Sequence, residues 1–220
     1  MATDFSPIYA LVRAHEKTAD RTACVAVLRP SGCTHLPLRL HSAEAMQPAD
    51  ERYALLLVKT ALWLQGGCGL VTEDEAVFRW LRAAYSPQGA RAFDRSFMSG
   101  VYGRPFSVAL SRELPPACEA ASSVSAESRG CRVGIDLGGS DRKAAAVIDG
   151  KTVYTEEVLW QPKSACELRY HYAHITAALR SAAEHLPRVD AVGFSTAGVV
   201  MDGEIRRSGL FMNVPAAEFD

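Results

Sequence analysis

Residues 131–137 read CRVGIDL, with Val133, Ile135 and Leu137 alternating with Arg132, Gly134 and Asp136. A period of two predicts a half-buried strand, and it turns Asp136 away from the apolar layer. A second apolar run at 144–148 meets Asp149-Gly150, the dipeptide favoured in two-residue hairpins, so residues 152–158 are predicted to return antiparallel. Ser164-x-x-Glu167 then has the spacing of a capping box. Leu168, Tyr172, Ile175, Leu179 and Leu186 fall on one face of a helix expected to end at Pro187. From Ala191 small and apolar residues lead through VGFSTAG, a fourth strand running into a glycine turn. The predicted order is βββαβ.

Upstream the pattern is different. Residues 6–19 read as a helix, 23–29 and 35–41 as a hairpin around PSGC, and 48–65 as a long helix stopped by Gly66-Gly67. Two more helices are predicted at 73–85 and 88–102, then a short strand at 106–110. Trp80, Phe93, Phe97 and Tyr102 recur at helical spacing and are expected to pack inward. The stretch LPPACEAASSVSAESRG at 114–130 has the Pro, Ala and Ser content of a linker. The expected organisation is a small α+β module at 1–113, a linker at 114–130 and an α/β domain at 131–220.

Composition narrows the classes. With 24 basic and 25 acidic side chains the net charge is −1, which favours neither nucleic acid nor an anionic membrane surface. The longest apolar stretch, 54–64, is interrupted by Lys59 and is too short to span a bilayer. The first twenty residues lack the pattern of a secretory signal, so a cytoplasmic location is expected. Six cysteines at 24, 33, 68, 118, 131 and 166 include no C-x-x-C pair and are accompanied by no paired histidines at metal-ligand spacing. They read as reduced structural thiols, and the six scattered histidines as structural groups.

Candidate chemistry concentrates after the first strand of the second domain. Gly138 and Gly139 permit a tight turn whose N–H groups approach an anion, Ser140 adds a hydroxyl, and Asp136 supplies a carboxylate beside it. Such a corner suits a phosphate with a metal ion. The same residues also suit a plain hairpin turn, and local sequence does not choose between the two.

VGIDLGGSDRKAAAVID at 133–149 resembles the first phosphate-binding hairpin of the sugar kinase, actin and heat-shock ATPase superfamily, and within it the ROK group of sugar kinases and sugar-responsive repressors. VGFSTAGVVMDGEI at 192–205 resembles the ROK stretch in which a strand ends in a glycine loop and a D-G turn follows. The resemblance covers about residues 131–215 and implies part of a ribonuclease-H-like, actin-like ATPase domain. It implies that Asp136 holds Mg2+ through water, that Gly138, Gly139 and Ser140 receive the phosphates of ATP, and that Gly193, Ala197 and Gly198 shape the loop beside a sugar, with Asn213 near it. The implied reaction is transfer of the ATP γ-phosphate to a sugar hydroxyl.

Several departures bear on these expectations. Ser140-Asp141-Arg142 stands where the family continues with Thr-Lys or Thr-Asn, and the added carboxylate repels phosphate unless Arg142 or Lys143 compensates. Ala197 replaces a customary proline. The family's catalytic aspartate lies in an E-N-D-A-N-like motif expected beyond Asp220, along with a second ATP-binding domain and a zinc motif, so the expected chain is the N-terminal part of such a protein, inactive alone, from a truncated, frameshifted or split gene. The fourth strand is expected parallel to the first with an open far edge, which invites a complementary C-terminal half or a second copy. Two other classes remain: a sugar sensor or regulator without chemistry, and a protein-interaction remnant. GGCGLVT at 66–72 is too long and strand-like for the turn of a DNA-binding helix pair.

Overall fold

Val25 and Val27 lie opposite Leu36 and Thr34 in an antiparallel hairpin, and the apolar face that Val25 and Val27 share with Leu38 and Leu40 organises the first half of the chain. The computed structural model describes residues 7–119 and 129–219, a mixed α/β protein with two compact units, Met1–Ser122 and Ser123–Asp220.

In the first unit the elements run α1 (Ile8–Thr18), β1 (Arg21–Arg29), β2 (Gly32–Leu40), α2 (Gln47–Gln65), β3 (Gly69–Thr72), α3 (Glu75–Ala84), α4 (Ala92–Tyr102), β4 (Ser107–Leu110) and β5 (Cys118–Glu119). The sheet order is β4-β3-β1-β2-β5, and only β3 and β4 pair in parallel. Tyr53, Ala54, Val58 and Leu62 of α2 and Val77 and Leu81 of α3 are buried in one cluster with Val25, Val27, Leu38, Leu40 and Leu70. Helix α2 stops at Gly66, whose φ of 75° is open to glycine without a Cβ clash and whose N–H donates to the Leu62 carbonyl at 2.9 Å. Ser6, the first residue of the expected N-terminal helix, lies outside the described residues.

Two expectations change in this unit. Residues 69–72, strand-like in the sequence, form β3, where Leu70 pairs with Val27 in the buried layer. Phe93 is 70% exposed and stacks on Trp63, whereas Trp80, Phe97 and Tyr102 do pack against the core. Residues 114–119 of the expected linker belong to this unit. Leu114 packs beside Ala26, Cys33 and Val71, and β5 pairs with β2. Residues 120–128 of the expected linker lie outside the described residues.

The second unit carries β6 (Cys131–Leu137), β7 (Asp141–Ile148), β8 (Lys151–Leu159), α5 (Leu168–Ala183), β9 (Ala191–Thr196), β10 (Gly198–Met201) and β11 (Glu204–Ser208). Its main sheet has the order β8-β7-β6-β9, with β9 parallel to β6 and the other pairs antiparallel. Asp149 and Gly150 turn β7 into β8, and Asp202 and Gly203 turn β10 into β11, all four residues with positive φ as a primed two-residue turn requires. Val133, Ile135, Leu137, Ala144 and Ala146 form the buried layer with Ala178 and Ala182 of α5. The small side chains on α5 let the helix lie close to the sheet.

Helix α5 differs from its predicted form. Ser164 does not cap it: its Oγ donates to the Gln161 carbonyl at 3.1 Å within a turn that precedes the helix. Glu167 is the N-cap without a side-chain bond, and the Leu168 N–H is instead taken by the Glu218 carboxylate at 2.8 Å. The buried face is His171, Ala178 and Ala182, while Tyr172 is 72% exposed, and the helix ends at Ala183, short of Pro187.

Beneath the sheet, Arg142 is buried and its Nη1 donates to Glu156 Oε1 at 2.6 Å; Glu156 Oε2 also accepts from Tyr154 at 3.2 Å and Ser181 at 3.0 Å. Burial acts to raise the Glu156 carboxyl, but the bonds from Arg142, Ser181 and Tyr154 outweigh it and hold the group below its ordinary value. Its stabilising effect is therefore present above the unfolded carboxyl pKa and is lost as pH falls through the lower folded value. We expect Glu156→Ala to cost about 2–3 kcal/mol, less than for a fully enclosed pair because Glu156 keeps some exposure. Urea unfolding at neutral and acidic pH checks this: the gap between parent and variant should narrow as the solution is acidified.

Candidate functional site

The alternation of β6 leaves Gly134 and Asp136 on the face opposite α5, and the neighbouring strands build a site around them. In the register, Gly134 lies beside Gly193 and Asp136 beside Ser195 of the parallel β9, with Ala145 and Lys143 of β7 on the other side. Ser195 Oγ donates to Asp136 Oδ1. These residues floor an open depression of about 640 Å³, with Thr155 and Glu157 of β8 at its margin. Gly134 and Gly193 each face open space where a Cβ would project, so the floor is low between two polar edges.

The β6–β7 turn closes one end of this face. The Gly138 N–H donates to the Asp141 carbonyl at 2.9 Å, and a Cβ on Gly138 would meet that same oxygen at 2.7 Å. Trp160, buried at the end of β8, donates from Nε1 to the Gly138 carbonyl at 2.9 Å and from its backbone N–H to Ser140 at 3.1 Å. The turn is thus held from beneath by an indole. Lys163 lies over Gly139, where its Cε would sit 2.8 Å from an added Cβ. A second depression of about 820 Å³ is lined by Gly139, Ser140, Trp160, Lys163 and Tyr170.

The charge of Asp141 is compensated by Lys143 and not by Arg142. Lys143 Nζ donates to Asp141 Oδ1, and Ser140 Oγ donates to Asp141 Oδ2 at 3.0 Å. The Lys143 and Ser140 bonds hold the Asp141 carboxyl below its usual range, and the same Asp141 contact pushes the Lys143 ammonium up. Arg142 faces the other side of the sheet, committed to Glu156. Ser140 Oγ points to its neighbour's carboxylate, and Lys163 is the charged side chain lining the second depression.

The structure brings Asp136, Gly138, Gly139 and Ser140 to one end of the sheet and places Gly193 mid-strand beside Gly134. Ala197 and Gly198 follow directly after β9, where the Ala197 N–H lies 3.4 Å from the Leu137 carbonyl and Ser208 Oγ donates to the Ala197 carbonyl at 3.1 Å. Gly198 is packed tightly: a Cβ there would meet the Arg207 carbonyl oxygen of β11 at 2.5 Å. Asn213 does not face the open depression. Its Nδ2 donates to the Lys163 carbonyl at 2.7 Å, so it braces the segment that carries the lysine. Ser195, Trp160 and Lys163 were not singled out by sequence. Ser195 was readable in principle from the register of VGFST against GIDL; Lys163 has no periodic or motif signal. No protein-family model and no curated protein matches the chain.

The two turn glycines should differ in tolerance. Gly138→Ala must move backbone at Asp141 and is expected to lower stability by about 1–3 kcal/mol, the range for overpacking a tight site. Gly139→Ala meets only the end of a flexible lysine and should cost less than about 1 kcal/mol. Denaturant melts of the two variants, compared with the parent, check the order.

Proposed function

We propose that the second unit is a ribonuclease-H-like domain of the ROK sugar-kinase type, which binds the phosphates of a nucleotide together with Mg2+ at the β6–β7 turn. The strand order β8-β7-β6-β9, with β9 parallel to β6, supports the reading, since these are the first four strands expected of such a sheet. The observation that carries it is Asp136. An exposed carboxylate stands on the open face of a central strand, directly before a turn whose backbone approaches too closely for a side chain at Gly138.

The donor set fits the proposed ligand. Magnesium prefers oxygen ligands and keeps several waters, which suits one carboxylate held on one oxygen by Ser195 and open on its exposed side. When bound, the ion would neutralise phosphate charge. Asp136 positions it, Lys143 cancels the added charge of Asp141, and Lys163 brings a cation to the turn. The glycine floor at Gly134 and Gly193 leaves room for a flat, hydroxyl-bearing substrate such as a sugar beside Asp136, while Ala197 and Gly198 fix the end of β9.

Binding is favoured over turnover in this chain. Phosphoryl transfer to a sugar needs a base for the hydroxyl proton. Among the described residues lining the open depression, the acids besides Asp136 are Glu156 and Glu157. Glu156 is held by Arg142, and Glu157 lies 3.9 Å from Lys143. A sensor that keeps the cleft without chemistry shares this observation.

Calorimetric titration with ATP, with and without magnesium, tests the reading on the parent chain and on Asp136→Asn. The parent is expected to bind ATP more tightly with magnesium, and the variant to lose about tenfold or more of that gain while its melting temperature stays close to the parent's. Equal nucleotide affinity in both, or none in the parent, overturns the reading. Sugar-dependent ADP release by the parent would show that the base is present after all.

A further inference from the structure

Three side chains from separate elements of the first unit meet on one oxygen atom. Asp50, in the first turn of α2, is completely buried, and its Oδ1 lies 2.7 Å from His41 Nδ1 and 3.2 Å from His15 Nε2. His41 follows the end of β2, and His15 comes from the last turn of α1. The three atoms lie within 4.8 Å of one another. The sequence has no paired histidines at metal-ligand spacing, since His15, His41 and Asp50 are 26 and 9 residues apart in succession, and only the fold brings them together.

We propose that His15, His41 and Asp50 form a binding site for a divalent transition metal of the zinc or cobalt class. Two imidazole nitrogens and one carboxylate oxygen are donors that suit such ions and disfavour magnesium or calcium, which take oxygen ligands almost exclusively. The Arg39 carbonyl lies 3.0 Å from His15 Nε2, at the edge of the cluster.

The surroundings supply an outer partner. Thr18 Oγ1 lies 3.1 Å from the His15 carbonyl and 2.9 Å from His41 Nε2. With a metal on His41 Nδ1, the ring proton would sit on Nε2 and be donated to Thr18 Oγ1, and Thr18 would donate onward to the His15 carbonyl. An outer partner that fixes the tautomer of a ligating histidine is the usual companion of such a site.

The remaining geometry is compatible with entry and closure. Binding displaces the protons on His41 Nδ1 and His15 Nε2 to solvent and parts donors now at hydrogen-bond distance. Asp50 remains anchored meanwhile through Oδ2, which accepts from the His41 backbone N–H at 3.0 Å. His15 is stacked on Tyr53 at 4.1 Å and borders a cavity of about 300 Å³, which gives the ion a path from solvent. The bound ion would tie α1, a helix with no fully buried residue, to β2 and α2.

The test uses the full chain after chelator treatment. Calorimetry with Zn2+ is expected to show one equivalent bound, with a melting temperature raised by about 5–10 °C at a hundredfold excess over Kd. Co2+ should give the visible bands of a nitrogen and oxygen site without thiolate charge transfer. His15→Ala, at the surface end of the cluster, should lose at least about tenfold in affinity, as should Asp50→Asn if it folds. Absence of stoichiometric zinc, wild-type affinity in His15→Ala, or a thiolate signal with Co2+ would each overturn the site.

Discussion

The buried ion pair between Arg142 and Glu156 decides which face of the second sheet packs on α5 and which is left open. In β7 the side chains of Arg142, Ala144 and Ala146 share the face that packs on α5, and an arginine can take that position only with a carboxylate waiting for it on β8. With Arg142 Nη1 bonded to Glu156 beneath the sheet, the pleat puts Asp141 and Lys143 on the opposite face. There Lys143 reaches Asp141, while Asp136 of β6 stands directly across from it in the register. A slip of one residue would expose the arginine's apolar neighbours and bury Lys143, so a single polar contact and the period of two hold the arrangement together.

That two-sidedness explains which parts of the fold were legible. Local rules with a fixed geometry were readable: the alternation of Val133, Ile135 and Leu137, the Asp149-Gly150 turn and the glycine stop of α2. The capping box was not formed, because Ser164 found a nearer acceptor in Gln161 and the helix N-terminus found a carboxylate from Glu218, fifty residues away. Tyr172 and Phe93 kept helical spacing but fell off the buried arc, since the sheet beneath α5 accommodates alanines and Phe93 meets only the rings of Trp63 on α2 and Phe97 on its own helix. Long-range convergence is the common element in what was missed.

The first unit shows the same limit for a cluster of polar groups. Helix α1 has no fully buried residue, and its attachment combines the packing of Val12 with polar contacts: His15 to Asp50 and Arg39, Glu16 to Tyr53, and Thr18 to His41. A buried carboxylate is tolerated only when donors surround it, and Asp50 has the His41 backbone and two imidazoles. None of these pairings has a sequence periodicity, because each joins a different element. Histidines that looked isolated along the chain are neighbours in space.

The electrostatics of the β6–β7 turn carry the last step. A carboxylate next to a phosphate site opposes binding, yet Asp141 points along its own strand to Lys143 and draws the Ser140 hydroxyl with it. The pair is neutral as a unit, so Asp136 and Glu157 remain as acids on the open face and Lys163 as a cation placed over the turn. An anion entering beside Gly139 therefore meets one positive side chain and the turn's backbone, and a cation entering beside Ser195 meets one carboxylate. The two charges are kept apart by the turn itself, which Trp160 holds in place, while Asn213 braces the segment that carries Lys163. It is this separation that supports the proposed ligand, a metal and a phosphate together, over either ion alone.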